Sequence, residues 1–71
     1  MKINPERLKN ILASHSRWLR DEPDGSRADL TDADLVDADL RGADLRRAYL
    51  HLAYLTGADL TDADLRRAYL T

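Results

Sequence analysis

A leucine at every fifth position restricts the fold of this chain more than any other feature of its sequence. These leucines occupy positions 30, 35, 40, 45, 50, 55, 60, 65 and 70, and an alanine stands two residues before each one. An α-helix turns about 100° per residue, so a step of five spreads the leucines over every face. A flat strand alternates its sides, so an odd step puts successive leucines on opposite faces. Neither structure buries the whole set.

A chain that bends once in every repeat does bury the set. Alanine and leucine, two residues apart, then point the same way within each short extended piece. The two residues after the leucine form the bend. Stacked coils of this kind hydrogen-bond through their backbones at a spacing of about 4.8 Å. The period alone leaves open how many repeats close one coil.

Nine copies of the pattern A-(D/Y)-L-x-x run from residue 28 to residue 71, the last one cut short. This pattern resembles the signature of the pentapeptide-repeat family. The resemblance implies a mainly β fold, a right-handed quadrilateral β-helix, with alanine and leucine facing inward. Four sides give 20 residues per coil, so we predict that residues 20 apart stack: Asp39 with Asp59, Asp44 with Asp64, Asp34 with Tyr54, and Asp29 with Tyr49 and Tyr69.

An amphipathic α-helix is predicted before the repeats, over roughly residues 5–20. Asn4 supplies a side-chain cap, and Pro5 and Glu6 suit the first turn of a helix. Apolar residues follow with the spacing of one helical face. Residues 22–25 carry turn chemistry that ends the helix.

Both ends of such a coil expose unpaired backbone groups and apolar side chains, which promote aggregation unless they are covered. We expect the helix and turn of residues 1–27 to cap the first end, with Trp18 as the plug. Together with the β-helix of residues 28–71 they form a single domain. No capping helix follows the repeats. This predicts a homodimer that forms tail to tail through Tyr69 and Leu70.

Side chains that carry catalysis are sparse. The chain has no cysteine, no glycine-rich phosphate loop, and no base that accompanies its serines. Its two histidines lie on different elements. We expect His15 at the boundary of the apolar helix face and His51 as an exposed side chain. The sequence therefore predicts that the protein is not an enzyme and has no catalytic, cofactor-binding or metal site.

Carboxylates dominate the outward positions of the repeats. Residues 28–71 carry nine Asp against five Arg, whereas residues 1–27 carry six basic against four acidic side chains. Regularly spaced carboxylates on a rigid coil resemble the phosphates that DNA-binding proteins contact. We predict a DNA mimic that blocks the DNA site of a bacterial nucleic-acid-binding enzyme or immune complex. Its phosphate stand-ins are Asp29, Asp32, Asp34, Asp37, Asp39, Asp59, Asp62 and Asp64.

The resemblance supports mimicry, because several pentapeptide-repeat proteins resemble DNA and bind bacterial DNA topoisomerase, although these relatives are longer. In its compactness the chain is also similar to small phage-encoded inhibitors such as anti-CRISPR proteins. Two other interpretations stay open. In one, the aspartates only suit the tight corners of a structural or scaffold module. In the other, nucleic acid binds directly to Arg41, Arg46, Arg47, Arg66 and Arg67. The prediction that we retain is a protein partner, without direct contact to nucleic acid.

Targeting signals are absent from this sequence. No apolar run approaches the roughly 20 residues that span a bilayer, and the N-terminus lacks the apolar core of a secretory signal. We therefore expect no membrane contact, and a location in the cytoplasm of a bacterial cell or a phage-infected host.

Overall fold

Helix α1, Pro5–Leu19, is the first element of the computed structural model, which describes residues 1–71. Its start follows from local chemistry. The side chain of Asn4 accepts hydrogen bonds from the backbone N–H groups of Glu6 and Arg7, at 2.8 and 3.2 Å. The predicted helix is thus confirmed, one residue shorter at its C-terminal end.

The C-terminal end of helix α1 is closed by a Schellman motif. Asp21 is left-handed, with φ at 59°. Its N–H donates to the carbonyl of Trp18 at 3.0 Å, and the N–H of Glu22 donates to the carbonyl of Arg17 at 3.0 Å. The chain then folds back along the helix so closely that a β-carbon at Gly25 would overlap the backbone of Trp18. A glycine is therefore required where the turn passes the helix.

Residues 28–71 form a coil that advances by one layer every 20 residues. Isolated parallel bridges join Asp29 to Tyr49, Asp34 to Tyr54, Asp39 to Asp59, Asp44 to Asp64, and Tyr49 to Tyr69. In the first of them, the N–H of Leu30 donates to the carbonyl of Tyr49 at 2.7 Å, and the N–H of Tyr49 donates to the carbonyl of Ala28 at 3.0 Å. The predicted stacking of residues 20 apart is confirmed.

Every corner of the coil is a four-residue turn with a left-handed residue in its third position. The residue two after each leucine, from Asp32 to Arg67, has φ between 58° and 73°. The N–H of the next alanine closes the turn onto the leucine carbonyl, as Ala33 does onto Leu30 at 3.0 Å. A positive φ at the third position only is typical of a type II turn. Glycine fills two of these corners, and Asp, Arg or Leu fills the others.

The prediction of a mainly β protein, a right-handed quadrilateral β-helix, is wrong as a fold class. The structure contains one α-helix of 15 residues, and its β pairing is limited to nine single-residue bridge positions with no strand or sheet. The reason is the corner geometry. In each five-residue repeat, several residues form the turn. Only one residue per repeat therefore remains for β pairing before the chain bends again.

The core is the ring of leucines inside the first coil, together with Leu50, which lies over Leu30 in the next layer. These side chains are at most 2% exposed: Leu30, Leu35, Leu40, Leu45 and Leu50. Burying one leucine contributes roughly 1.5–3 kcal/mol. Leu55, Leu60 and Leu65 are less protected, and Leu70 is 50% exposed, because no complete layer packs on them. The first coil is therefore the better packed of the two.

Helix α1 packs on the first coil through Leu8 and His15. Leu8 joins the leucine core, and His15 is completely buried. The imidazole accepts from the N–H of Ala28 at Nδ1, 2.9 Å away, and its Nε2 lies 2.7 Å from the carbonyl oxygen of Arg46. The predictions of His15 at a boundary and Trp18 as the plug are therefore wrong. Trp18 is half-buried and stacks on His15 with ring centroids 5.5 Å apart.

Candidate interaction surface

The outward side chains of the coil fall on four sides, each defined by a column of bridged residues. Residues 29, 49 and 69 define the first side, 34 and 54 the second, 39 and 59 the third, and 44 and 64 the fourth. Each side includes the corner that follows it. This arrangement decides which of the predicted site residues lie together.

The eight predicted phosphate stand-ins do not share one wall. Asp29 and Asp32 lie on the first side, Asp34 and Asp37 on the second, Asp39, Asp59 and Asp62 on the third, and Asp64 on the fourth. The third side holds the largest group, and it contains the only bridged pair of the set, Asp39 with Asp59. The carboxylates therefore surround the coil rather than line one face.

Six aspartates take part in the corners through Asx turns. In each, Oδ1 accepts a hydrogen bond from the backbone N–H two residues later, at distances from 3.1 to 3.3 Å. These residues are Asp29, Asp34, Asp39, Asp44, Asp59 and Asp64. Asp therefore has a structural reason to occupy this position, separate from any partner. Tyrosine takes the same position in three repeats and has no such acceptor.

Arginine separates the stacked aspartates on the third side. Arg41 donates to both carboxylate oxygens of Asp39 at 2.9 Å, and its Nε lies 4.0 Å from Asp59. This geometry reduces the repulsion expected between like charges on neighbouring layers. Asp62, at the corner of the same side, makes no hydrogen bond or ion pair through its carboxylate and is exposed.

Arginine outnumbers aspartate on the fourth side. Arg46 donates to Asp44 at 2.7 Å and its Nε lies 3.8 Å from Asp64, which also accepts from Arg66 at 2.7 Å. The corners of this side carry two more arginines, 47 and 67. The fourth side is therefore basic although it contains one of the predicted phosphate stand-ins.

The N-terminal segment neutralises part of the second side. The terminal amino group lies 3.6 Å from Asp34, and the Lys2 ammonium lies 3.3 Å from Asp37. Both contacts are exposed, so salt screens them readily. On the first side, Asp29 and the exposed Asp32 have no cation within 4.0 Å.

Hydrogen bonds keep several of these carboxylates ionised. The guanidinium of Arg41 lowers the pKa of Asp39 to about 2, and that of Arg66 lowers the pKa of Asp64 to about 2. Hydrogen bonds from Thr31 lower the pKa of Asp29, and those from Thr61 lower the pKa of Asp59. These aspartates carry full negative charge at neutral pH.

An aromatic column lies on the first side. Tyr49 and Tyr69 lie with ring centroids 5.2 Å apart, and Arg27 is placed between the rings of Trp18 and Tyr49, at 4.3 and 4.8 Å. Arg27 also donates to the hydroxyl of Tyr49 at 2.5 Å. The repeat period does not identify Arg27, because this residue stands just before the repeats and belongs to no periodic pattern. Its role is to tie the helix to the column.

A comparison with protein families identifies the family of the repeats. The chain matches the family described as pentapeptide repeats (8 copies), over residues 24–47 and 33–71. The chain belongs to the pentapeptide-repeat family. No curated protein and no solved structure matched it. Membership of the family accounts for the repeat pattern of the chain.

The depressions of this pentapeptide-repeat protein follow the seam between helix α1 and the coil. The more apolar one has a volume of about 460 Å³ and is lined in part by Leu8, Leu12 and Val36. No three His, Asp or Glu side chains are grouped so as to hold a metal ion. That the protein is not an enzyme stays a prediction. Its single helix is too short and too polar to cross a membrane.

Proposed function

We propose that this pentapeptide-repeat protein is a non-catalytic binding module whose acidic sides dock on a basic, nucleic-acid-binding surface of a partner protein. The observation that carries the proposal is the segregation of charge around the coil. Within residues 28–71, the first three sides carry seven Asp and one Arg, whereas the fourth side carries two Asp and four Arg. A surface polarised in this way orients an approaching partner of opposite charge.

The ionisation state of the carboxylates supports a display of fixed charge. A general acid needs a pKa near the working pH. On the first and third sides, Asp29 and Asp59 instead have lowered pKa values, because Thr31 and Thr61 donate hydrogen bonds to their carboxylates. Such groups stay negative, which suits them to contact lysine and arginine on a partner.

A nucleic-acid-binding protein is the partner class that this display fits best. DNA carries about one negative charge per 1.7 Å of its axis, and its binding proteins neutralise that charge with Lys and Arg. A coil that bears seven carboxylates on three adjacent sides offers the same sign and a similar density in a rigid frame. Docking there blocks nucleic acid from the partner's surface, so the protein acts as an inhibitor by mimicry of DNA.

Variants that remove charge without disturbing the turns test this proposal. Asn keeps the Asx-turn oxygen and accepts a left-handed φ, so Asp29→Asn, Asp32→Asn and Asp62→Asn preserve the coil. The control variant removes the same number of charges outside the coil, through Asp21→Asn, Glu22→Gln and Asp24→Asn. The immobilised wild type and the control are expected to capture, from bacterial lysate, a nucleic-acid-binding protein that duplex DNA releases. Capture by the coil variant at the same level would contradict the proposal.

Self-association is a second candidate function, favoured by large exposed apolar side chains beyond the first coil. Leu52 is 69% exposed, Tyr54 61%, Leu70 50% and Tyr69 47%. Pairing two copies through Tyr69 and Leu70 would cover part of this area. The expected mass by light scattering at tens of micromolar is that of a dimer, and Leu70→Ser is expected to return it to a monomer. A monomer mass for the unchanged chain would contradict this second proposal.

A further inference from the structure

Two arginines on the fourth side have no carboxylate partner. Arg46 and Arg66 hold Asp44 and Asp64 at 2.7 Å, whereas no Asp or Glu lies within 4.0 Å of the guanidinium of Arg47 or Arg67. The two free side chains stand at equivalent corners of successive layers. The N–H of Arg47 donates to the carbonyl of Arg66 at 3.1 Å, which fixes one corner directly over the next.

This stacking has an electrostatic cost. Layers joined by backbone hydrogen bonds lie about 4.8 Å apart, so the two cationic side chains start from adjacent positions and repel each other. An anion placed between the guanidinium groups would convert the repulsion into attraction.

A cleft of suitable size lies at the same place. Its volume is about 300 Å³, and it is lined by the four arginines of the fourth side and by Leu19, the last residue of helix α1. One water molecule occupies about 30 Å³ of liquid, so the cleft accommodates a small oxyanion together with its remaining water. The helix end provides one wall, and the corner arginines provide the donors.

We propose that this cleft binds a diphosphate group of a small molecule, with Arg47 and Arg67 as its ligands. Guanidinium donors form a planar fork that matches two oxygens of a phosphoryl group. Two stacked forks match two linked phosphoryl groups. Arg46 and Arg66 add positive potential but stay with their aspartates. The cleft is separate from the acidic sides, so the result of a binding experiment at the cleft does not bear on the proposed function.

Calorimetric titration of the full chain with inorganic pyrophosphate at low salt tests the site. Saturable binding with one pyrophosphate per chain is expected, and Arg47→Gln and Arg67→Gln are each expected to weaken it at least tenfold. Arg41→Gln is the matched control, because Arg41 is an exposed arginine of the third side that is paired with Asp39. It is expected to leave the affinity within a factor of two.

Three results would overturn the proposal. The first is the absence of saturable binding at millimolar pyrophosphate. The second is an equal loss of affinity in Arg41→Gln, which would indicate general attraction to positive charge. The third is tighter binding of a single-stranded oligothymidylate than of pyrophosphate, since that would assign the cleft to a phosphodiester backbone. Thermal melts, expected to show that each variant is folded at the temperature of the titration, show that a loss of affinity comes from the missing guanidinium group.

Discussion

The Nδ1 atom of His15 accepts a hydrogen bond from the backbone N–H of Ala28 at 2.9 Å, and this contact joins helix α1 to the first residue of the repeats. On the other side of the ring, Nε2 lies 2.7 Å from the carbonyl oxygen of Arg46. A backbone N–H only donates and a carbonyl only accepts, so the proton of the neutral ring sits on Nε2. The buried imidazole thus connects the backbone of Ala28 to the backbone of Arg46.

Replacing this ring should destabilise the whole molecule. His15→Ala leaves a cavity and an unsatisfied backbone N–H, and we expect the free energy of unfolding to fall by about 2–4 kcal/mol. Urea denaturation followed by circular dichroism measures the change. His51→Ala is the control, because that histidine is partly exposed on the second coil, and its effect is expected to stay below about 1 kcal/mol. Equal effects would show that His15 is not the joint between helix and coil.

The tautomer of His15 is a separate prediction. Because Nδ1 faces a donor, its ¹⁵N chemical shift should be that of an unprotonated ring nitrogen, and Nε2 should carry the proton at neutral pH. Long-range ¹H–¹⁵N correlation spectra distinguish the two nitrogens. A proton on Nδ1 would contradict the packing described for helix α1.

The ion pairs of the coil should make stability depend on pH in the acid range. The ordinary pKa of an Asp is 3.8, and Asp39 and Asp64 have a pKa of about 2 in the folded protein. A lowered folded-state pKa stabilises the fold above the unfolded value, and this contribution is lost as the pH falls through the folded value. It should therefore be complete above about pH 4 and disappear toward about pH 2.

Carboxyl ¹³C shifts of Asp39 and Asp64, recorded against pH, check this directly. In Arg41→Gln the pKa of Asp39 should return toward its ordinary value, because its main hydrogen-bond donor is gone. The pKa of Asp64 should stay low in the same variant, since Arg66 is intact. An unchanged titration of Asp39 would mean that the pair with Arg41 does not form in solution.

The corners predict a stabilising change at Leu52. This leucine is left-handed, with φ at 58°, and 69% exposed, so it has backbone strain and little burial. Leu52→Gly removes the strain at some cost in chain entropy, and a net gain of about 0.5–1 kcal/mol is expected in thermal or urea unfolding. A clear loss of stability would show that this corner is not a left-handed turn.

The two environments of glycine give a further test of the turn that follows helix α1. A β-carbon at Gly25 would overlap the backbone of Trp18, whereas one at Gly42 would meet nothing within 4 Å, although Gly42 is left-handed at 68°. Gly42→Ala should cost about 1 kcal/mol through its φ alone. Gly25→Ala should cost more, about 2 kcal/mol or above, because backbone atoms must move. The reverse order in urea denaturation would contradict the close approach of this turn to the helix.

The parts of the fold that could be predicted from the sequence are those set by local chemistry or by the period. The start of helix α1 is indicated by Asn4, Pro5 and Glu6. The five-residue period, with four sides per coil, predicts that Asp39 and Asp59 stack. The fold class could not be derived in this way. The period shows where the chain bends, but the number of residues that each type II corner consumes decides whether any strand remains between corners.

The candidate surface was predicted in part for similar reasons. Spacing in the sequence identified the carboxylates, but five residues advance the chain by one side, so aspartates that are close in sequence point in different directions. The partners of Asp39 and Asp64 are arginines only two residues away, and their pairing depends on the Asx turn. The complete burial of His15 depends on the packing of helix α1 on the coil, and helical periodicity alone does not contain that information.

Equilibrium competition tests whether the acidic sides occupy a partner's nucleic-acid site. The partner captured from lysate is purified, loaded with fluorescent duplex DNA, and titrated with this protein while anisotropy is recorded. We expect full displacement of the DNA. The affinity should fall at least tenfold when Asp29→Asn, Asp32→Asn and Asp62→Asn are combined, and it should fall steeply with added salt. A ternary complex, in which the partner holds the DNA and this protein at once, would contradict it.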